Sequence, residues 1–161
     1  MSKSNPTSNE HKIYPKVQVT IEIPKGSFIK RGSDGKLDFI SPVPCPFNYG
    51  SISGLIGRDG DLLDAIVLGQ QIPMGTQLWV EALGAVEMID RGFYDDKLIC
   101  SHSPISVWQQ LWILVFFKVY AKAKFLINFA RGHMGRNSCE GWCDAELALS
   151  RAIATTDNDE K

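Results

Sequence analysis

The sequence predicts a mainly β protein with helices in its C-terminal third, an α+β chain whose short strands form a closed or nearly closed barrel. Three observations predict it. Val17, Val19, Ile21 and Ile23 alternate with Lys16, Gln18, Thr20 and Glu22, the period-two pattern of a strand with one buried face. Short apolar runs then recur between Gly- and Pro-containing turns as far as Cys100. After Pro104 the pattern changes to a stretch, 107–129, that contains neither Gly nor Pro and carries apolar residues around most of a helical circumference.

Composition narrows the function classes. A chain of 161 residues and 17.9 kDa suits one domain with a real core, and 44% hydrophobic with 22% charged residues is ordinary for a globular protein. The formal net charge is −1 and there is no basic block, which argues against nucleic acid or an anionic membrane as the main partner. Cys45, Cys100, Cys139 and Cys143 are scattered, and the chain opens on a polar segment without an apolar leader core, so a reduced, cytoplasmic protein is expected. The longest apolar run, Leu111 to Phe117, is far shorter than the roughly 20 residues of a membrane span and reads as a buried helix face.

In chain order, residues 1–15 have almost nothing to bury and read as a mobile tail. Strands are expected at 17–23, 28–31 and 37–40, with Gly32-Ser33-Asp34-Gly35 as a turn. Three prolines between Ser41 and Pro46 exclude a helix there. Further strands are expected from Asn48 through Ile52, at 64–68, at 78–86 and at 97–100. Ser106 is a helix cap, Gly132 a helix end with Arg131 in the last turn, and Asp144 the cap of a second helix containing Ala145, Leu147, Leu149 and Ala152. The tail at 155–161 is polar and acidic, leaving 16–154 as a single domain.

The chemistry concentrates in two acidic stretches. Asp59-Gly60-Asp61-Leu62-Leu63-Asp64 carries three carboxylates and no base, and Gly60 allows the backbone turn that would bring them to one side. Oxygen-only ligands suit hard divalent ions such as Mg²⁺, Mn²⁺ or Ca²⁺. A second group, Asp90 with Asp95 across Arg91-Gly92, is followed by Lys97, which shares a face with Asp95 if the strand has begun. With Glu22, these groups lie at the ends of expected strands and would converge at one mouth of a barrel, stacking divalent ions against phosphate oxygens. Taken singly, each loop is equally readable as a solvated acidic turn.

Together these residues resemble a known family. Ile21-Glu22-Ile23-Pro24-Lys25-Gly26, then Asn48-Tyr49-Gly50, then Asp59 to Asp64, then Asp90 to Lys97, then Phe116-Phe117 with Tyr120 are similar, in order and in most spacings, to soluble family I inorganic pyrophosphatases over about residues 17–154. The resemblance implies a five-stranded OB-like closed barrel flanked by two helices and hydrolysis of pyrophosphate to two phosphates. It also implies several Mg²⁺ ions, with Mn²⁺ as a substitute, and a homo-oligomer, often a hexamer in bacteria. Position by position it implies Asp59, Asp64, Asp90 and Asp95 as metal ligands and Glu22 as a further one, directly or through water. Asp61 would be the general base, and Lys30, Tyr49, Lys97 and Tyr120 would bind the small anionic phosphate substrate.

The departures from the family cluster by role. Arg31-Gly32 stands where the family has Tyr-Glu, Asp38-Phe39 where it has Asp-Arg, Cys45 where it has Tyr, Ala121 where it has Lys, and Leu62 where it has Pro. The acids are retained, whereas the missing Arg and Lys belong to the end of the site that grips phosphate, which neither Phe39 nor Ala121 can do. Arg31 and Lys122 are neighbouring cations that could compensate. Two alternatives follow: the same chemistry on an organic phosphate or diphosphate with a more apolar leaving group, or a non-catalytic metal- or phosphate-binding scaffold. His133, Cys139 and Cys143 fit no standard zinc spacing, and Trp108, Trp112, Phe116 and Phe117 are expected to be core.

Overall fold

Apolar alternation in β1 (Lys16–Ile23) puts Val17, Val19 and Ile21 inside a barrel and leaves the intervening side chains outward. The structure, a computed structural model, describes residues 12–31, 37–40, 44–130, 132 and 135–154. Residues 1–11 of the tail expected at 1–15, the tail at 155–161, the Gly32 to Gly35 turn, Arg131 and His133 lie outside the described residues, as do the side chains of 29–31, 37–40, 127 and 128. After β1 come β2 (Ile29–Arg31) and β3 (Leu37–Ile40), which pair with each other, then β4 (Asn48–Ile56), β5 (Leu62–Val67), β6 (Gln77–Asp90), β7 (Phe93–Tyr94) and β8 (Lys97–Ser101). The remainder is α1 (Val107–Ala130), β9 (Ser138–Cys143), α2 (Ala145–Arg151) and β10 (Ile153–Ala154).

Pairing runs β1-β4-β5-β8-β6 and closes where β6 returns to β1. Every step is antiparallel except β5 to β8, which is parallel. In chain order of its staves this is 1-2-3-5-4-1, the order of an OB-like barrel, so the expected five-stranded closed barrel with two helices is what the chain forms. β6 is long enough to serve twice: its first part closes the barrel, and its second part carries the β7 hairpin on one edge and β9 on the other.

Two apolar clusters lie on opposite faces of the barrel wall. Inside, Val19, Ile21, Ala65, Val67, Leu98 and Cys100 pack with Ala145 and Ala148 of α2. Outside, Phe47, Ile66, Val86, Met88 and Ile99 meet Ile113, Phe117 and Ala121 of α1. A capping box starts α1: the Gln109 N–H donates to Ser106 Oγ at 3.2 Å, and the Ser106 N–H donates to Gln109 Oε1 at 2.9 Å. Gly132, at φ 74°, donates its N–H to the Phe129 carbonyl and ends the helix. Asp144 precedes α2 as expected, but its side chain takes Lys12 Nζ at 2.9 Å and its backbone carbonyl, not its carboxylate, accepts from the helix.

The expectation of a buried apolar α1 holds for one stripe only. Ile113 and Phe117 are buried, whereas Trp108 is 79% exposed, Trp112 52% and Val115 51%. A single helix lying on the outside of a barrel has one face to bury, and the sequence spreads apolar residues over more than that face. β9 was not expected either, since Ser138-Cys139-Glu140-Gly141-Trp142-Cys143 shows no apolar alternation. Its place is fixed by Trp142, whose indole packs so closely over Gly84 that a Cβ there would lie 2.4 Å from the ring.

Asn48 ties the β4–β5 corner to two loops. Fully buried, its amide donates to the carbonyls of Val67 at 3.1 Å and Gln70 at 2.8 Å, while its oxygen accepts the N–H groups of Lys25 at 3.1 Å and Ile72 at 2.8 Å. Two residues on, Gly50 lies against β1, where a Cβ would fall 2.1 Å from the Thr20 carbonyl oxygen. Asn48→Asp keeps the shape of residue 48 but buries a charge facing two carbonyls, so the protein is expected to lose on the order of 3 kcal/mol at neutral pH. Urea unfolding of the two proteins measures this, and an unchanged midpoint would show that Asn48 does not anchor the corner.

Candidate active site

Register across the barrel wall builds a row of polar groups. β4 sets Ser51 opposite Asp64 of β5, and the parallel β5–β8 register sets Asp64 beside Lys97. Ser51 Oγ donates to Glu22 Oε1 at 2.6 Å, which extends the row to β1, where the β1–β4 register is irregular between Ile21 and Ile23. Asp64 and Ile66 share a face by strand alternation, as do Lys97 and Ile99, and Ile66 and Ile99 are the residues that meet α1. The row therefore lies on the outer face of the wall beside α1 and not at a barrel mouth. An inward face at these positions is already filled by Leu63, Ala65 and Leu98.

The second acidic stretch is delivered by a tight hairpin. Asp90 ends β6, Arg91 and Gly92 take φ of 49° and 90°, and Phe93 pairs back to Asp90, as a two-residue turn requiring two positive φ angles does. Past β7 the adjacent carboxylates Asp95 and Asp96 part company. Asp96 is gripped by Arg151 of α2, with Nη1 at 3.3 and 3.1 Å from its two oxygens, and Arg151 Nη2 also reaches Glu87 at 2.7 Å while its guanidinium lies 4.0 Å from the Tyr94 ring centroid. Asp95 faces the other way, toward Lys97. The Arg151 clamp was not legible in the sequence, because α2 and β8 meet only in the fold.

Cations on two elements meet the carboxylates. Lys97 Nζ, 4% exposed, contacts Asp64 Oδ2 and lies 2.5 Å from Asp95 Oδ1. Lys124 Nζ of α1 lies 2.6 Å from Asp90 Oδ2 and 3.7 Å from Asp95 Oδ2. Burial works against charge on Lys97, but Asp64, Tyr49 and Asp95 outweigh it and hold the ammonium well above its ordinary range. The Tyr49 hydroxyl is likewise pushed well up, by burial and then by Asp64, and its ring centroid lies 5.9 Å from Lys97 Nζ. Asp59, half-buried, is pushed up by burial and by Asp95; its Oδ1 accepts the Asp61 N–H at 3.3 Å. Asp61 is exposed on the same loop, which the Gly57 N–H closes onto the Asp61 carbonyl at 2.8 Å.

Most of the expected site is therefore one neighbourhood: Tyr49, Asp64, Asp95 and Lys97 directly, Glu22 through Ser51, Asp90 through Lys124, and Asp59 through the field of Asp95. Tyr120 lies on the rim, 42% exposed, stacked on Phe116 at 6.3 Å and one helical turn before Lys124. Lys30 is placed by β2, opposite Phe39 of β3, and the side chains of both lie outside the described residues. Cys45 is half-buried, and Ala121 is buried against the barrel. Lys122 is exposed two residues from Tyr120, on the far side of the helix, so the neighbouring cation that reaches the acids is Lys124. Its i+4 spacing from Tyr120 was the signal available in the sequence.

These donors fit hard divalent cations. The acidic side chains here offer only oxygen donors, and Asp90 Oδ1 is buried with no hydrogen-bond partner among the described residues, an unused acceptor. No three acidic, His or Cys side chains stand at ligand spacing among the described residues. The carboxylates are instead spread around two ammonium groups, as mutual repulsion requires while lysines neutralise them.

Alkaline pH tests this electrostatic arrangement. Cys100, which burial pushes up to about 12, and Tyr49 and Lys97 keep protons that the unfolded chain releases at lower pH. Their stabilisation is fully present below the unfolded pKa values and is lost as pH rises through the folded ones. Lys97→Met removes one such proton, so the metal-free variant should lose stability with pH more shallowly above about pH 10.5, by about 1.4 kcal/mol per pH unit, while being less stable than wild type at pH 8. Urea unfolding across pH 8–12 measures both, and an identical alkaline slope would exclude Lys97 as a proton-holding group.

The family described as inorganic pyrophosphatase matches residues 19–124. Among curated proteins, the inorganic pyrophosphatase of Malacoplasma penetrans is 43% identical over 93 residues, covering 52% of this chain and 51% of that protein. The inorganic pyrophosphatase of Streptomyces coelicolor is 35% identical over 122 residues, covering 63% and 75%. The matched stretch spans about half the length of several such relatives. In fold, the inorganic pyrophosphatase of Thermus thermophilus superposes with a TM-score of 0.70 at 24% identity, over 92% of each chain. Strand order, acidic row and family match agree, and the chain belongs to the inorganic pyrophosphatase family.

Proposed function

We propose that this protein hydrolyses inorganic pyrophosphate to two phosphates with Mg²⁺, Mn²⁺ serving as a substitute. The observation that carries this reading is the gathering of Asp64, Asp90 and Asp95 around Lys97 and Lys124 on one outer face of the barrel, with Glu22 joined to the same row through Ser51, in a chain of this family. Glu22, Asp59, Asp64, Asp90 and Asp95 would hold the divalent ions, which when bound acidify water and offset charge on phosphate oxygens. Asp61 takes the proton from the attacking water; its exposed carboxylate on a closed loop suits that task. Lys97 and Tyr49 hold phosphate from the barrel wall, Tyr120 from α1 and Lys30 from β2. Burial strengthens these contacts by lowering the local dielectric around Lys97.

Asp61→Asn removes the base and keeps the shape, so phosphate release from pyrophosphate should fall by about 10²- to 10⁴-fold in kcat with little change in Mg²⁺ binding. The assay compares pyrophosphate with a panel of organic diphosphates. Faster turnover of an organic substrate would replace the pyrophosphate reading, and no turnover of any by pure wild-type protein would make the chain a non-catalytic binder.

The reading includes a homo-oligomer, hexameric by family, acting in the cytoplasm. Among the described residues no helix is long and apolar enough to cross a membrane. Support for self-association comes from α1, where Trp108, Trp112, Val115, Val119, Leu126 and Phe129 are all exposed, at alternating steps of four and three residues with Lys122 filling one step. Trp112→Glu with Val115→Glu should convert the oligomer to monomers in sedimentation velocity at micromolar concentration. A wild-type monomer, or an unchanged oligomer in the variant, would remove this part of the proposal.

A further inference from the structure

Lys124 is anticipated neither by the acidic motifs nor by the phosphate-binding positions. It projects from α1, four residues after Tyr120, and brings its ammonium to 2.6 Å from Asp90 Oδ2 and 3.7 Å from Asp95 Oδ2. Tyr120 and Lys124 share a helix face, and the tyrosine adds to the field that favours the charged lysine against the cost of burial. Three residues earlier, Ala121 is packed into the apolar contact between α1 and the barrel, with Phe117 and Ile99. Position 121 therefore serves packing, and the helix presents its cation one turn later, about 5 Å further along the axis.

We propose that Lys124 supplies the phosphate-gripping positive charge that this chain lacks at Ala121, neutralising Asp90 and Asp95 in the metal-free protein and turning to a substrate phosphate once those carboxylates hold divalent ions. This rests on the pyrophosphatase reading above. Two facts point to a dual role and not a fixed ion pair. The side chain is 29% exposed and long enough to swing, unlike Lys97 at 4%. Asp90 keeps its other oxygen, Oδ1, buried and without a partner among the described residues, so that carboxylate is only half satisfied by Lys124 and is set to exchange the ammonium for a stronger cation. Displaced from Asp90, the ammonium remains next to Tyr120 at the edge of the site, where a phosphate oxygen is its natural acceptor.

The test is calorimetric titration of inorganic phosphate into the Mg²⁺-loaded protein, with Mg²⁺ titrated separately, for wild type, Lys124→Met, Lys124→Arg and Lys122→Met. Lys124→Met should weaken phosphate binding at least tenfold and raise KM for pyrophosphate by a similar factor. Lys124→Arg should restore most of both, and Lys122→Met should match wild type. If Lys124 is only a counter-ion for the acids, Lys124→Met will tighten Mg²⁺ binding and leave phosphate affinity unchanged, which overturns the proposal. A wild-type protein that binds phosphate in a Lys124-dependent way but does not hydrolyse pyrophosphate would defeat the catalytic reading alone; one that binds no phosphate would defeat both.

Discussion

Carboxylates crowded on one face of a small barrel repel each other, and the local structure follows from how that repulsion is met. Asp64, Asp90 and Asp95 converge within reach of two ammonium groups, one on the wall and one on the helix. At close range in a partly buried site each uncompensated pair would cost several kcal/mol, a large part of the stability of a domain this size. Lys97 is the buried half of the answer. The parallel β5–β8 pairing fixes it next to Asp64, and only a strand order that brings the third and fifth staves together makes that pairing.

The rest of the fold can be traced as support for that face. Asp95 and Asp96 are neighbours in a strand entry that face opposite ways, and without Arg151 the buried Asp96 carboxylate would have no charge partner. The Arg151 clamp on Asp96 and Glu87 ties α2 to β6 and β8 and leaves Asp95 to the site. On the other flank, Asn48 pins β4 to the loops at Lys25 and Gln70, which fixes the strand that carries Tyr49 and Ser51. Gly50 between them allows β1 to approach closely enough for Ser51 to reach Glu22. A polar row across four strands thus depends on backbone spacing set by a Gly and an Asn outside the row.

Most of the barrel was legible because its determinants are local. Alternation located β1, and turn chemistry separated β4 from β5 at Gly57 and Gly60 and β6 from β8 at Arg91-Gly92. The two acidic stretches were legible as motifs for the same reason. What the sequence hid depends on partners distant along the chain. β9 is a strand only because β6 offers an edge and Trp142 a flat ring for Gly84. Arg151 becomes part of the site's support through residues 55 and 64 positions away. The acidic groups were expected at a barrel mouth, and they lie on the outer wall instead, because alternation gives two faces and does not say which of them an incoming helix covers.

The same limit explains α1 and gives it significance. Apolar residues on most of its circumference read as burial on most of its circumference, yet a helix on the outside of a barrel can bury only the stripe of Ile113, Phe117 and Ala121. The second stripe, from Trp108 to Phe129, is left to solvent in the single chain. Lys124 continues the buried stripe one turn beyond Ala121, with Tyr120 at its border, where the helix overlooks Asp90. A helix held by one stripe is free to tilt about it, whereas contacts on both stripes would fix its edge. Whatever covers the outer stripe therefore sets how firmly Lys124 is aimed at the acids, and self-association and phosphate grip become coupled through one rigid element.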